Sequence, residues 1–274
     1  KRGKGSFLSQ LWKIGLAVLI PLIALDVYLL IDSKIFNVKT VDVSLDKISC
    51  TTEFEIKRES AVSGQKFFLL DEKNIGSNLK GKFFCIKSVN ISRTFPDKVK
   101  IEVSGREAVA VLALLTPEST LSASLENIAS QSASISAREK VEGEFLVDNE
   151  GIIFLKGRMD NLPVIYFWGS ALNIGKNVGE GLIQNTLKIL EKMTTFGIKT
   201  KEAKIYSQEV LLLNPIMENT KIIFALNKNI DVQLASLQLI MTQAKINEEE
   251  MEFIDLRFDK PVIKLIPRKG ESSH

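Results

Sequence analysis

Ile86-Lys-Ser-Val-Asn-Ile-Ser-Arg-Thr-Phe-Pro-Asp-Lys-Val-Lys-Ile-Glu-Val103 is the stretch on which the fold of the first half of this chain turns. Ile86, Val89 and Ile91 form one alternating set, and Val99, Ile101 and Val103 another. That pattern belongs to half-buried strands. Phe95-Pro96-Asp97 between them carries the residues of a tight turn, so the stretch reads as a hairpin.

Working upstream, Asp71 caps a short helix that carries Ile75 and Leu79 and stops at Gly81. Before it lies the apolar run Phe67-Phe-Leu-Leu70. Thr51 or Thr52 followed by Glu55 has the spacing of a capping box, opening another short helix that runs to about Ala61 and halts at Ser63-Gly64. Earlier still, Val41, Val43 and Leu45 alternate through Phe36-Asn-Val-Lys-Thr-Val-Asp-Val-Ser-Leu45, a further strand. The predicted order over 34–115 is therefore strand, helix, helix, strand, strand.

Leu11 to Ile31, LWKIGLAVLIPLIALDVYLLI, has a different character. At a rise of ~1.5 Å per residue it matches the ~30 Å hydrocarbon core of a bilayer. Lys1, Arg2, Lys4 and Lys13 precede or open it, so the basic segment 1–10 is expected to stay in the cytoplasm and everything beyond the helix to lie outside. No small-x-small cleavage site follows the run, which argues for an anchor over a cleaved leader. Asp26 sits near its outer end. Either it reaches the interface or is protonated, or it contacts a partner's membrane helix.

Cys50 and Cys85 are the only cysteines. Outside the membrane such a pair either bridges or is buried as two separate thiols. The only histidine, His274, ends a polar tail at 268–274, which excludes His-based triads and nearly all zinc chemistry. A formal net charge of +3 is too balanced to imply nucleic acid.

Residues 116–143 are rich in Ser, Ala and Glu and read as a connector that can bury little. The region 144–267 follows as a second module. It opens with two apolar strand halves around Asp148-Asn-Glu-Gly151, a hairpin signal. Leu182, Ile183, Leu187, Leu190 and Met193 then recur at helical spacing within Glu180–Phe196. Strands are predicted at about 203–207, 209–213 and 220–226. A second amphipathic helix starts at Asp231, and two last strands follow, Phe253-Ile-Asp-Leu-Arg-Phe258 and Pro261-Val-Ile-Lys-Leu-Ile266. The fold class is α+β: a membrane helix, a βααββ module and a mixed α/β module with a mostly antiparallel sheet.

With those elements placed, the chain resembles the FtsQ/DivIB family of bacterial cell-division proteins. The strand–helix–helix–strand–strand order resembles a POTRA domain, with Phe36-x-Val38 at its start and Arg93-x-Phe95-Pro96-x-x-Val99 in its hairpin. The closing run Gly105-Arg-Glu-Ala-Val-Ala110 departs from the family's Glu-Arg-x-Pro-Val-Ala. Val147-Asp148-x-x-Gly151 and Ile254-Asp-Leu-Arg-Phe258 extend the resemblance into the second module. The resemblance implies a non-catalytic, single-pass scaffold of the divisome, located at the septum, that recruits and regulates septal wall synthesis. It also implies FtsB/FtsL-type partners and no cofactor, metal or small-molecule substrate. Partner binding would fall on the last strand region, at Phe258, Val262, Lys264 and Ile266, through strand addition at a sheet edge. Phe258 is either the aromatic anchor of that contact or a core residue.

Two other readings stand beside this one. A POTRA-bearing secretion or assembly factor would need further repeats or a barrel. A membrane-anchored cell-wall enzyme would need paired carboxylates such as Asp148, Asp255 and Asp259. Asp148 falls in a turn, however, and Asp255 with Arg257, two apart on a strand, is expected to be a surface charge pair.

Overall fold

The structure is a computed structural model that describes residues 17, 19–23, 36–47, 50–115, 140–169, 172–179, 181–206, 209–216, 220–247 and 250–266. The basic segment 1–10, Asp26, most of the apolar run 11–31, residues 116–139 of the Ser-rich stretch and the polar tail lie outside the described residues. Two compact units emerge, Lys1–Gly105 and Arg106–His274. Among the described residues no helix is long and apolar enough to cross a membrane.

In the first unit, strand β1 (Thr40–Asp46) leads into helix α1 (Glu53–Ser60). Thr52 caps α1 with a complete capping box: its hydroxyl accepts from the Glu55 amide while the Glu55 carboxylate accepts from the Thr52 amide. Two of the orphan donors at a helix start are thereby satisfied. Phe67–Leu69 forms a single 3-10 turn, and Asp71 then caps helix α2 (Glu72–Lys82) by accepting from the Asn74 amide. Strands β2 (Ile86–Thr94) and β3 (Lys98–Gly105) form the predicted hairpin.

The sheet order is β1-β3-β2, with β1 parallel to β3. A register shift between Ile86 and Ser88 explains why Ile86 and Val89 stand three apart and not two. Val41, Ile56, Leu79, Ile86, Val99, Ile101 and Val103 are buried in this unit. Cys50 and Cys85 are joined as a disulfide with Cα atoms 6.4 Å apart.

The second unit is one nine-stranded mixed sheet, and its first strand was not expected there. Strand β4 (Ala110–Leu115), placed by the sequence at the end of the first module, pairs antiparallel with β5 (Val141–Val147) and parallel with β7 (Val164–Trp168). All six of its residues are buried. A strand buried on both faces reads as a continuous apolar run, and such a run carries no alternation to say which sheet it joins. The Ser-rich stretch therefore does not bridge two modules. Leu115 and Val141 are register partners, so β5 begins inside the 116–143 stretch and the part between them links two paired strands of one sheet. The change of module falls at Gly105–Arg106.

The remaining elements are β6 (Ile153–Lys156), helix α3 (Leu182–Thr195), β8 (Thr200–Ile205), β9 (Val210–Pro215), β10 (Lys221–Ala225), helix α4 (Ile230–Asn247), β11 (Met251–Asp255) and β12 (Val262–Leu265). The sheet runs β12-β11-β10-β9-β8-β7-β4-β5-β6. Leu187, Leu190 and Met193 of α3 and Leu234, Leu237 and Met241 of α4 pack with Leu112, Leu114, Leu211, Leu213 and Phe224 in one core. Period-two alternation sends Val210, Leu212 and Ile223 into a separate small cluster.

Candidate interaction edge

Strand β12 is the outermost strand at one end of the nine-stranded sheet. Its inner side pairs antiparallel with β11, in the register Asp255↔Val262, Ile254↔Ile263, Phe253↔Lys264 and Met251↔Leu265. Among the described residues no strand pairs with its outer side. All four of its residues are exposed, and Ile266 just beyond is exposed as well. An exposed apolar edge is unusual because its unpaired N–H and C=O groups template the addition of another strand.

The β11–β12 turn is held by charge. Asp255 is only 5% exposed. Its Oδ1 accepts from the Arg257 Nε at 2.9 Å and from the Arg257 backbone N–H at 3.0 Å, and Oδ2 accepts from Nη2 at 2.6 Å. The expectation of a surface pair is thus corrected. The carboxylate lies at the buried end of β11, where a charge without a partner would be costly, and the planar guanidinium satisfies both its oxygens. Hydrogen bonding to Asp255 raises the Arg257 guanidinium above its ordinary pKa, against the opposing effect of burial. The Arg257 guanidinium carbon lies 5.6 Å from the centroid of the Phe258 ring. Phe258 is 54% exposed, so it is not a core residue. Nearby, Lys228 pairs with Asp259 at 3.3 Å, and Lys264 pairs with Glu252 at 2.7 Å.

Of the four residues singled out by the sequence, Phe258 lies in the turn, Val262 and Lys264 in β12, and Ile266 just past its end. The sequence reading missed Ile263 and Leu265. Alternation puts these two on the opposite face of the strand from Val262, Lys264 and Ile266. Both are exposed, so β12 offers apolar side chains on both of its faces. The apolar residues Val262, Ile263, Leu265 and Ile266 on both sides of Lys264 were the available signal.

The carboxylates suggested for an enzyme stand apart in role. Asp148 is 1% exposed and is ion-paired to Arg106; its Oδ1 accepts from the amides of Glu150 and Ile152 at 3.0 and 2.8 Å. It therefore ties the β5–β6 hairpin to the segment ahead of β4. Among the described residues no group of three or more His, Cys, Asp or Glu is placed to hold a metal ion.

Residues 36–106 match the family model of the POTRA domain, FtsQ-type. The matched segment ends one residue past β3, close to the point where the first unit gives way to the second. No curated protein matches the chain.

Proposed function

We propose that this chain, whose FtsQ-type POTRA domain indicates the FtsQ/DivIB family of cell-division proteins, is a bitopic, non-catalytic scaffold of the divisome. The FtsQ-type POTRA family is generally non-catalytic and its members are membrane divisome proteins. On this reading Leu11–Ile31 anchors the chain with its N-terminus in the cytoplasm, and both folded units stand outside. Leu19, Ile20, Leu22 and Ile23 support the anchor, since these apolar helical side chains are all more than half exposed, as suits a lipid-facing surface. Asp26 offers a second, intramembrane contact to a partner helix.

The observation that carries the partner assignment is the open apolar edge of β12. A partner segment that adds a strand there gains backbone hydrogen bonds from the outer side of β12. It gains specificity from Phe258, Val262, Lys264 and Ile266, with Ile263 and Leu265 on the alternate positions. In such an interface the aromatic residue is the natural anchor. The partner is an FtsB-type protein of an FtsB/FtsL-like coiled-coil pair, and the complex recruits and regulates septal wall synthesis.

The test is a photo-cross-linking amino acid placed at position 263 of the full chain in dividing cells. The expected result is an adduct with an FtsB-type protein, together with midcell enrichment of the chain and filamentation on its depletion. Adducts that never include such a protein, in cells where the chain is produced and inserted, would sink the assignment.

A further inference from the structure

The first unit carries an exposed aromatic cluster that none of the above uses. Phe36 lies 5.4 Å from Phe68 and 5.8 Å from Phe95, centroid to centroid, and Phe67 lies 5.4 Å from Phe68 and 6.4 Å from Phe95. Phe67 is buried beneath, whereas Phe68, Leu69 and Phe95 are 46%, 66% and 65% exposed. Large apolar side chains gathered in one place on a surface mark a contact site.

The backbone shows where on the unit this cluster sits. The Val38 amide donates to Gln65 O and the Gly64 amide to Val38 O, both at 2.9 Å. Asn37 bridges Lys66, and the amides of Lys39 and Thr40 donate to Asp97 O. The segment 37–40, by which the chain enters the unit, is thus gripped between the loop before Phe67 and the turn after Phe95. The aromatic cluster is built around the point where the chain arrives from Leu11–Ile31.

Only five residue steps separate Ile31 from Phe36, which span at most ~18 Å when fully extended. A bilayer's polar interface adds ~5–8 Å beyond its hydrocarbon core on each side. The tip of this unit therefore has no room to stand far from the headgroups. The carboxylates beside the cluster are partnered: Asp97 with Lys39 at 3.2 Å, Glu72 with Arg93 at 2.7 Å, and Asp71 with the Asn74 amide at 3.0 Å. Arg93 also donates to Phe67 O at 3.1 Å, which fixes the loop that presents Phe68 and Leu69. Aromatic and leucine side chains on such a rigid support bury themselves in the boundary between headgroups and acyl chains.

We propose that Phe36, Phe68, Leu69 and Phe95 form a lipid-contacting tip that seats the POTRA domain on the outer surface of the membrane. This rests on the reading of Leu11–Ile31 as an anchor. The tip limits the swing of the domain about the short tether and sets its tilt above the bilayer.

The experiment uses the full chain with Trp12 and Trp168 changed to Phe. It is reconstituted in phosphatidylethanolamine–phosphatidylglycerol vesicles whose acyl chains carry bromine as a quencher. Single tryptophans are introduced by Leu69→Trp, Phe95→Trp and, as control, Phe54→Trp. Phe54 is 71% exposed at the start of α1, the opposite end of that helix from the Gly64 loop. Tryptophans at 69 and 95 are expected to shift their emission to the blue and lose most of it to bromine, while that at 54 keeps its emission. Phe68→Trp repeats the measurement if either tip variant fails to fold. Flotation with the vesicles but solvent-like, unquenched emission at the tip overturns the lipid contact and leaves the anchor standing. Equal quenching at 54 also overturns it. Failure to float overturns the anchor, and the tip contact with it.

Discussion

The two edges of the nine-stranded sheet are built from similar residues and end differently. At one edge, Ile153 of β6 has its outer side occupied: its amide donates to Lys176 O at 3.0 Å, and its carbonyl accepts from the Gly175 amide at 2.7 Å. Ile152 bridges Asn177, and the Val178 amide donates to Gly151 O. Ile153 and Phe154 are buried as a result. Gly151 is favoured here by its φ of +78°, which L side chains rarely adopt. At the other edge β12 has no such cover among the described residues, and its apolar side chains are exposed. Closed edges protect a sheet from unwanted pairing, so an edge left open and apolar points to an intended partner.

The largest expected effect comes from breaking the closed edge. Asp148→Ala removes one of the two carboxylates paired with Arg106, leaving Glu150 at 3.1 Å, together with two backbone hydrogen bonds at a site that is 1% exposed, and should cost about 3 kcal/mol in urea unfolding of the second unit. Breaking the open edge should act on binding and not on folding. On the proposed function, Phe258→Ala or Leu265→Asp should weaken capture of an FtsB-type partner by about 2 kcal/mol, roughly thirtyfold, with an unchanged unfolding midpoint. The matching change at the closed edge, Lys156→Asp, should leave partner affinity as it was. If both edges respond alike in a titration, the distinction between them fails. The smallest effect sharpens the picture of closure. Asn177 donates to Glu150 O at 2.9 Å and accepts from the Gly179 amide at 2.8 Å. Asn177→Ala should cost about 1 kcal/mol, visible as faster amide exchange at Ile153.

The legibility of the chain followed the range of its interactions. In the POTRA domain the capping box at Thr52–Glu55, the Asp71 cap and the Pro96 turn are local, each readable within a few residues, and together they mark both helices and the hairpin. In the second unit the amphipathic helix starting at Asp231 was also legible, and Leu234, Leu237, Ile240, Met241 and Ala244 of α4 are buried. Ala110–Leu115 was assigned to the wrong module because its partners, β5 and β7, lie across the 116–139 stretch and further along the chain. Asp255 looked like half of a surface pair, and Asp148 like a plain turn residue, for the same kind of reason. What buries Asp148 includes Arg106, 42 residues away, and nothing near either residue in the sequence signals its depth.

For the β12 edge, the sequence alone placed an apolar strand at 262–266 beside an aromatic turn, because hydrophobic runs and turn chemistry are local properties. Only the tertiary structure decided that this strand is the outermost of nine and is exposed on both faces. Sheet order is set by which distant segments pair, and that information is spread over the whole chain. Likewise the five phenylalanines and leucines of the POTRA tip, Phe36, Phe67, Phe68, Leu69 and Phe95, come from three separate segments. Phe67, Phe68 and Leu69 read as part of a short apolar run and Phe95 as part of a turn. Folding brought them together around the point where the chain arrives, with Phe67 buried, Phe36 half-buried and Phe68, Leu69 and Phe95 exposed.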